Sequence, residues 1–231
     1  MSTERTFGSK LLNSETLLTA ISSFRDYEAN IPDLEPANLE RHITAIKPAN
    51  SEIAICKQNY SLSVDIRQGL FITNPKSIQK LLSPINATVK AIYGRNAKQS
   101  TDVAAIISKI RGDNNKIKKN PDDQSVSQSH RSFGSKIQYF GDTISNLKNF
   151  GSRYDPSNQD ITVESLNHLH SQATDSNQAV ANDYAIFKQK NAIRIEKYAE
   201  LSALCQRIKD SIKSQYGNSS SQYLLIKGLK I

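Results

Sequence analysis

Tryptophan is missing from this 231-residue chain, and only nine glycines and seven prolines interrupt it. So few chain-breakers, among long Leu/Ile/Ala/Lys/Gln stretches, exclude a strand-and-turn β protein and point to helices. Only two cysteines are present, Cys56 and Cys205, too few for a disulfide-stapled framework. Lone thiols in a helical pattern are usually small core residues. No stretch approaches 18 uninterrupted apolar residues, so no membrane span is expected. Met1-Ser2-Thr3-Glu4-Arg5 lacks the apolar core of a secretion leader, which makes cytoplasmic residence the expectation. Three Asn-x-Ser/Thr sequons, at Asn59, Asn86 and Asn218, carry no weight without secretion.

Local signatures of chemistry are also lacking. There is no His-Glu-x-x-His, Cys-x-x-Cys, Gly-x-x-x-x-Gly-Lys or Gly-x-Ser-x-Gly pattern, and no Glu-x-x-His of the di-iron bundles. The four histidines are His42, His130, His168 and His170. The last two sit two apart on a helix, about 200° around its axis, and cannot share a metal. No catalytic residue, cofactor site or metal site is expected.

What the chain does have is a repeat. Arg5-Thr6-Phe7-Gly8-Ser9-Lys10 returns as Arg131-Ser132-Phe133-Gly134-Ser135-Lys136, five identities in six. Tyr27, Asp33, Leu39, Asn50, Arg67 and Phe71 then match Tyr154, Asp160, Leu166, Asn177, Arg194 and Tyr198 at a constant offset of 127. Tyr93-Gly94 matches Tyr216-Gly217. These collinear matches predict a tandem duplication of a helical unit of about 100 residues. The first copy spans 5–111, a polar linker 112–130, and the second copy 131–231. The cysteines and histidines have no counterparts in the other copy, so they are no duplicated device.

In the second copy, Ile137, Phe140, Ile144, Leu147 and Phe150 recur at helical spacing, up to Gly151. Residues 154–159 read as a connector, with Asp160 as the cap of the next helix. Neither Pro nor Gly occurs from 161 to 216, yet one helix of that length would run about 80 Å. The spacing with Thr73-Asn74-Pro75 of the first copy therefore predicts a long helix over 161–198, a reversal, and a helix over 201–216. The latter ends at a Gly217 cap and is followed by a short closing helix or turn. In the first copy, helices are predicted over 10–25, 34–72, 77–93 and 101–110, with Pro48 and Pro84 kinking or shortening theirs. The fold expected is all-α: short helix, long helix, short helix, twice over. It would pack as an elongated antiparallel bundle with pseudo-twofold symmetry; two small tethered bundles are the alternative.

Four cations are candidates for binding an anion or partner. Arg67 and Arg194 fall on the apolar stripe, four residues before an aromatic (Phe71, Tyr198) and seven after one (Tyr60, Phe187). A guanidinium there must find an acceptor or reach water. A packing role, with the stem on the core and a carboxylate such as Asp33 or Asp160 as partner, is weighed against a guanidinium floor for an anionic ligand. Lys10 and Lys136 follow Phe-Gly-Ser, an ordinary helix start with Phe as staple, though a helix N-terminus followed by Lys can also hold an anion.

Arg131-Ser132-Phe133-Gly134-Ser135-Lys136, Tyr154-x-Pro156-x-x-x-Asp160-Ile161, Arg194 and Tyr216-Gly217 resemble an uncharacterised bacterial family of all-helical proteins. Ser157 and Asn158 replace that family's Asn-Glu, and the first copy departs further, with Ala29 at the proline position. The resemblance implies an all-helical fold and no particular activity.

The formal net charge is +8, spread over both copies: 14 basic against 9 acidic residues in 5–111, and 13 against 9 in 131–231. Weak attraction to phosphates or acidic partners follows, without the dense tract of a nucleic-acid module. The function expected is a non-catalytic helical interaction or scaffold protein whose partner is another, unidentified protein. The rivals are a sequence-nonspecific nucleic-acid binder using dispersed Lys/Arg, and a binder of a small anionic ligand at Arg67 and Arg194.

Overall fold

A computed structural model describes residues 6–112 and 132–231 of the chain. The expected linker at 112–130 lies outside them except for Gly112, as do Arg5 and Arg131. Among the described residues there are helices and no strands. In order they are α1 (Phe7–Ser23), a 3₁₀ turn (Pro32–Leu34), α2 (Pro36–Gln68) running into a π-helical turn (Gly69–Thr73), α3 (Ile78–Tyr93) and α4 (Lys98–Arg111). Then follow α5 (Phe133–Asn149), two 3₁₀ turns (Gly151–Arg153, Gln159–Ile161), α6 (Val163–Tyr216) and α7 (Ser221–Ile226). No helix among the described residues is long and apolar enough to cross a membrane.

Local chemistry accounts for the helix limits. Thr6 Oγ1 accepts from the Ser9 amide at 3.2 Å, and Ser132 Oγ from the Ser135 amide at 3.1 Å, which caps α1 and α5. Phe7 and Phe133 are thus first-turn residues and not staples ahead of the cap. Gly94 and Gly217 end α3 and α6 at φ 90° and 89°, a region closed to most L-residues. The sequence placed the cap of α6 at Asp160. Thr162 fills that role instead, its hydroxyl accepting from the Ser165 amide at 3.2 Å, while Asp160 sits in the preceding 3₁₀ turn.

One further expectation is corrected. The reversal near 199–200 does not exist: α6 is one helix of 54 residues. Glu200, Leu201 and Ser202 stand where the first half has its Asn-Pro break, and none of them costs a helix enough to stop it. α2 and α3 continue through Pro48 and Pro84, as the ranges predicted for them require. Each forgoes one amide donor within an otherwise intact ladder.

The chain divides into two compact units, Met1–Gln58 with Ala185–Ile231, and Asn59–Tyr184. Each takes residues from both halves of the sequence. The boundaries fall inside α2 and α6, so each unit holds one stretch of both long helices. The core of the first unit joins Leu17 and Ile21 of α1, Leu39 and Ile46 of α2, Tyr198 and Ile208 of α6, and Ile226 of α7. That of the second joins Phe71, Leu82 and Ile85 to Val103 of α4, Phe140 and Leu147 of α5, and Leu166 of α6. Each such side chain, fully buried, contributes about 1.5–3 kcal/mol.

Within each unit the α2 and α6 stretches run antiparallel. In the first unit Asn50 meets Tyr198 and Glu52 meets Lys190; in the second Tyr60 meets Tyr184 and Arg67 meets Asn177. The connectors are tied alike. The Tyr27 hydroxyl donates to the Leu34 carbonyl at 3.0 Å, and that of Tyr154 to the Ile161 carbonyl at 2.9 Å. Burial pushes the Tyr154 phenol up to about 12.

Candidate functional site

Arg67 and Arg194 occupy matching environments, one in each unit. The Arg67 guanidinium carbon lies 4.1 Å from the centroid of the Phe133 ring, and that of Arg194 lies 4.4 Å from Phe7. Phe133 in turn packs on Phe71 at 4.8 Å between centroids, and Phe7 on Tyr198 at 4.6 Å. Each arginine is half-buried, with its guanidinium carbon over an aromatic ring. The partners come from opposite halves of the sequence in both cases.

No ion pair among the described residues involves either arginine. Arg67 donates to Asn177 Oδ1 at 3.1 Å, and Arg194 to Asn191 Oδ1 at 2.7 Å. The Nε–H of each is buried and has no acceptor among the described residues. The expected carboxylate partners are engaged elsewhere: Asp160 with Lys76 at 2.6 Å, and Asp33 with Arg207 at 3.6 Å. Both of those pairs are surface contacts of small energetic weight. Each arginine is therefore held by an aromatic face and an amide, without a counter-charge. A lysine lacks the weakly hydrated, multi-donor guanidinium that serves both the ring and the amide. Arg67→Lys is expected to lower stability by about 1 kcal/mol, read as a shift in the urea midpoint at unchanged slope, and Arg194→Lys by a similar amount.

The aromatic platforms Phe7 and Phe133 were missed as site residues by sequence reasoning. Their signal was present, since both lie in the best-matched hexapeptide, but it was absorbed by the helix-start reading.

Lys10 and Lys136, three residues further on, face different surroundings. Lys136 stands 5.7 Å from the Phe133 centroid, beside a gap of only about 20 Å³ that Gln79 and Arg111 also line. Lys10 donates to Ser202 Oγ at 3.2 Å and lines a cleft of about 370 Å³. Around that cleft stand Lys209, Lys227, Lys230, Cys205 and Gln206. Lys209 is buried, 8% exposed, and its ammonium donates to the Leu229 carbonyl. Burial pushes the pKa of Lys209 down, with the neighbouring Cys205 and Asp210 opposing that shift. Cys205 is buried beside Ser14, and desolvation raises its thiol to about 11, so it stays a neutral core group. Lys209 follows Cys205 by four residues on the buried face of α6, a spacing legible in the sequence but not used.

A second basic cleft, of about 510 Å³, belongs to the other unit and is lined by Ser83, Asn86, Lys90, Arg95 and Arg111. Among the described residues no group of three or more His, Cys, Asp or Glu side chains could hold a metal ion. No family model matches the chain, and no curated protein and no solved structure does either.

Proposed function

We propose that this is a tandemly duplicated, non-catalytic helical interaction protein whose partner is another protein with an acidic surface. In this reading the duplicated parts have exchanged, so that each compact unit combines the start of one copy with the end of the other. Support for the duplication comes from the matched environments of Arg67 and Arg194, of Tyr27 and Tyr154, and of Gly94 and Gly217. The resemblance to a bacterial all-helical family and a cytoplasmic location belong to the same proposal.

The observation that carries the binding role is the set of large aliphatic side chains left on the surface next to the two arginines. Ile66 is 60% exposed and Leu62, one turn earlier, 52%. In the other unit Ile193, at the position matching Ile66, is 41% exposed, and Ile186, two turns earlier, 47%. Isolated exposed aliphatics are ordinary, but pairs on one helix face mark a surface that another protein covers. The excess of basic residues would bring an acidic partner to it.

The test places a photo-crosslinking residue at Leu62 or Ile186 in the full chain and identifies what is captured in cells. One protein is expected to recur at both positions, and Ile66→Gln with Ile193→Gln to reduce its capture at least tenfold. Capture unchanged by both substitutions would reject the reading. Retention on heparin that is steeply lost with salt, together with crosslinks to RNA or DNA, would favour the nucleic-acid rival.

A further inference from the structure

Lys209 poses a problem that the interaction role leaves unsolved. It is more than nine-tenths buried, takes part in no ion pair, and among the described residues has one acceptor, the Leu229 carbonyl. A buried ammonium with a single neutral acceptor is unfavourable unless an anion stands near it. The adjacent Asp210 attracts it but accepts from the Gln206 amide at 3.2 Å and, among the described residues, forms no ion pair with it. Three more lysines, Lys10, Lys227 and Lys230, line the same cleft with Ser202 and Gln206, and no Asp or Glu does. Among the described residues none of these three lysines is in an ion pair either.

The wall of the cleft is a built structure, not a loose surface. Asn13, buried in α1, donates through Nδ2 to the Lys230 carbonyl at 2.8 Å, and Leu229 is buried between Lys227 and Lys230. Lys10 is held by Ser202. Those tethers fix the backbone that carries the cations, so little order has to be gained on binding. A cleft of about 370 Å³ has the size of a small-molecule site and is too small to take a folded protein surface. Four cations and two neutral hydrogen-bonding side chains, with no acid, match a compact, multiply charged oxyanion.

We infer that the cleft of Lys10, Lys209, Lys227 and Lys230 binds a small molecule through a phosphate or diphosphate group, with Lys209 beneath the anion. The three outer lysines supply the remaining donors, and Ser202, whose hydroxyl donates to the Tyr198 carbonyl at 2.7 Å, holds Lys10 in place. The assignment goes beyond the protein-binding role, and nothing in it depends on Ile66 or Ile193.

Titration of the full chain with inorganic pyrophosphate by calorimetry at low salt tests it. One saturable site per chain is expected. Lys227→Glu with Lys230→Glu, both on the surface, is expected to weaken binding at least tenfold with helix content unchanged. Lys209→Met is expected to weaken it as much or more, in protein shown to melt like the parent. Lys90→Glu with Arg95→Glu, in the other basic cleft, serves as the control and should change affinity less than twofold. Three results would overturn the inference. They are no saturable binding at millimolar pyrophosphate, equal losses from both charge-reversed pairs (which would mean diffuse charge attraction), and binding of a single-stranded RNA at these lysines while pyrophosphate is ignored. Each of them leaves the crosslinking test of Leu62 and Ile186 untouched.

Discussion

Produced separately, residues 1–111 and 132–231 are expected to show no cooperative melt, and mixing them is expected to restore one. The reason lies in how the units are assembled. In the first, α1 and the start of α2 bury Leu17, Ile21 and Leu39 against Tyr198, Leu201, Ile208 and Ile226 from the far end of the chain. In the second, α3 and α4 bury Val89, Val103 and Ile107 against Phe140, Ile144 and Leu147 of α5. Cutting at the linker removes one side of both cores. Each half would expose an apolar stripe worth well over the 5–15 kcal/mol that stabilises an ordinary domain. Circular dichroism melts of each fragment and of their equimolar mixture measure the effect. A fragment that melted alone with the helix content of the intact chain would contradict it.

Tyr198→Ala is expected to be the most damaging single substitution, costing about 3–5 kcal/mol. Tyr198 is 1% exposed, packs its ring on Phe7, and accepts from Asn50 Nδ2 at 2.9 Å. Truncation removes the ring, unseats Phe7 from beneath Arg194, and leaves the Asn50 amide without its acceptor. Tyr198→Phe separates these contributions: it keeps the ring and loses only the acceptor, for about 1 kcal/mol. Hydrogen exchange at the α1 and early α2 amides should accelerate strongly in the alanine variant and slightly in the phenylalanine one. Equal effects of the two substitutions would assign the stabilisation to the hydroxyl and not to packing.

The helical class could be read because breaker scarcity and three-to-four spacing report directly on backbone preference. The first helix, predicted to start at residue 10, starts at Phe7, since the apolar spacing sets in after the cap. Continuity of α6 was also written in residues 161–216, which contain nothing that stops a helix; analogy with Asn74-Pro75 overrode that local evidence. The pairing of partners could not be read at all. A repeated sequence is degenerate: Arg67 could meet Phe7 or Phe133, and the pattern is satisfied by either. Chain geometry resolves it. α1 lies against the start of α2, with Glu15 on Lys47 at 2.9 Å, and its 17 residues reach only about 25 Å. Arg67 belongs to the unit that holds Phe133, and Arg194 to the unit that holds α1 and Phe7, so each arginine takes its ring from the other half of the sequence. The basic cleft escaped notice for a similar reason: Lys209 and Lys10 are 199 positions apart in the chain, and no spacing rule joins them.

The division of the chain also sets an order of events on the ribosome. Residues 59–184 form one uninterrupted segment, so that body has all its parts once α6 is about two-fifths synthesised. The other must keep residues 6–58 waiting until the last stretch, 185–231, emerges. Closure over so long an intervening segment is slow relative to local pairing. During that interval Leu17, Ile21 and Leu39 are the surfaces a chaperone would have to shield, and a nascent chain stalled before residue 185 should be protease-sensitive there and resistant in its middle.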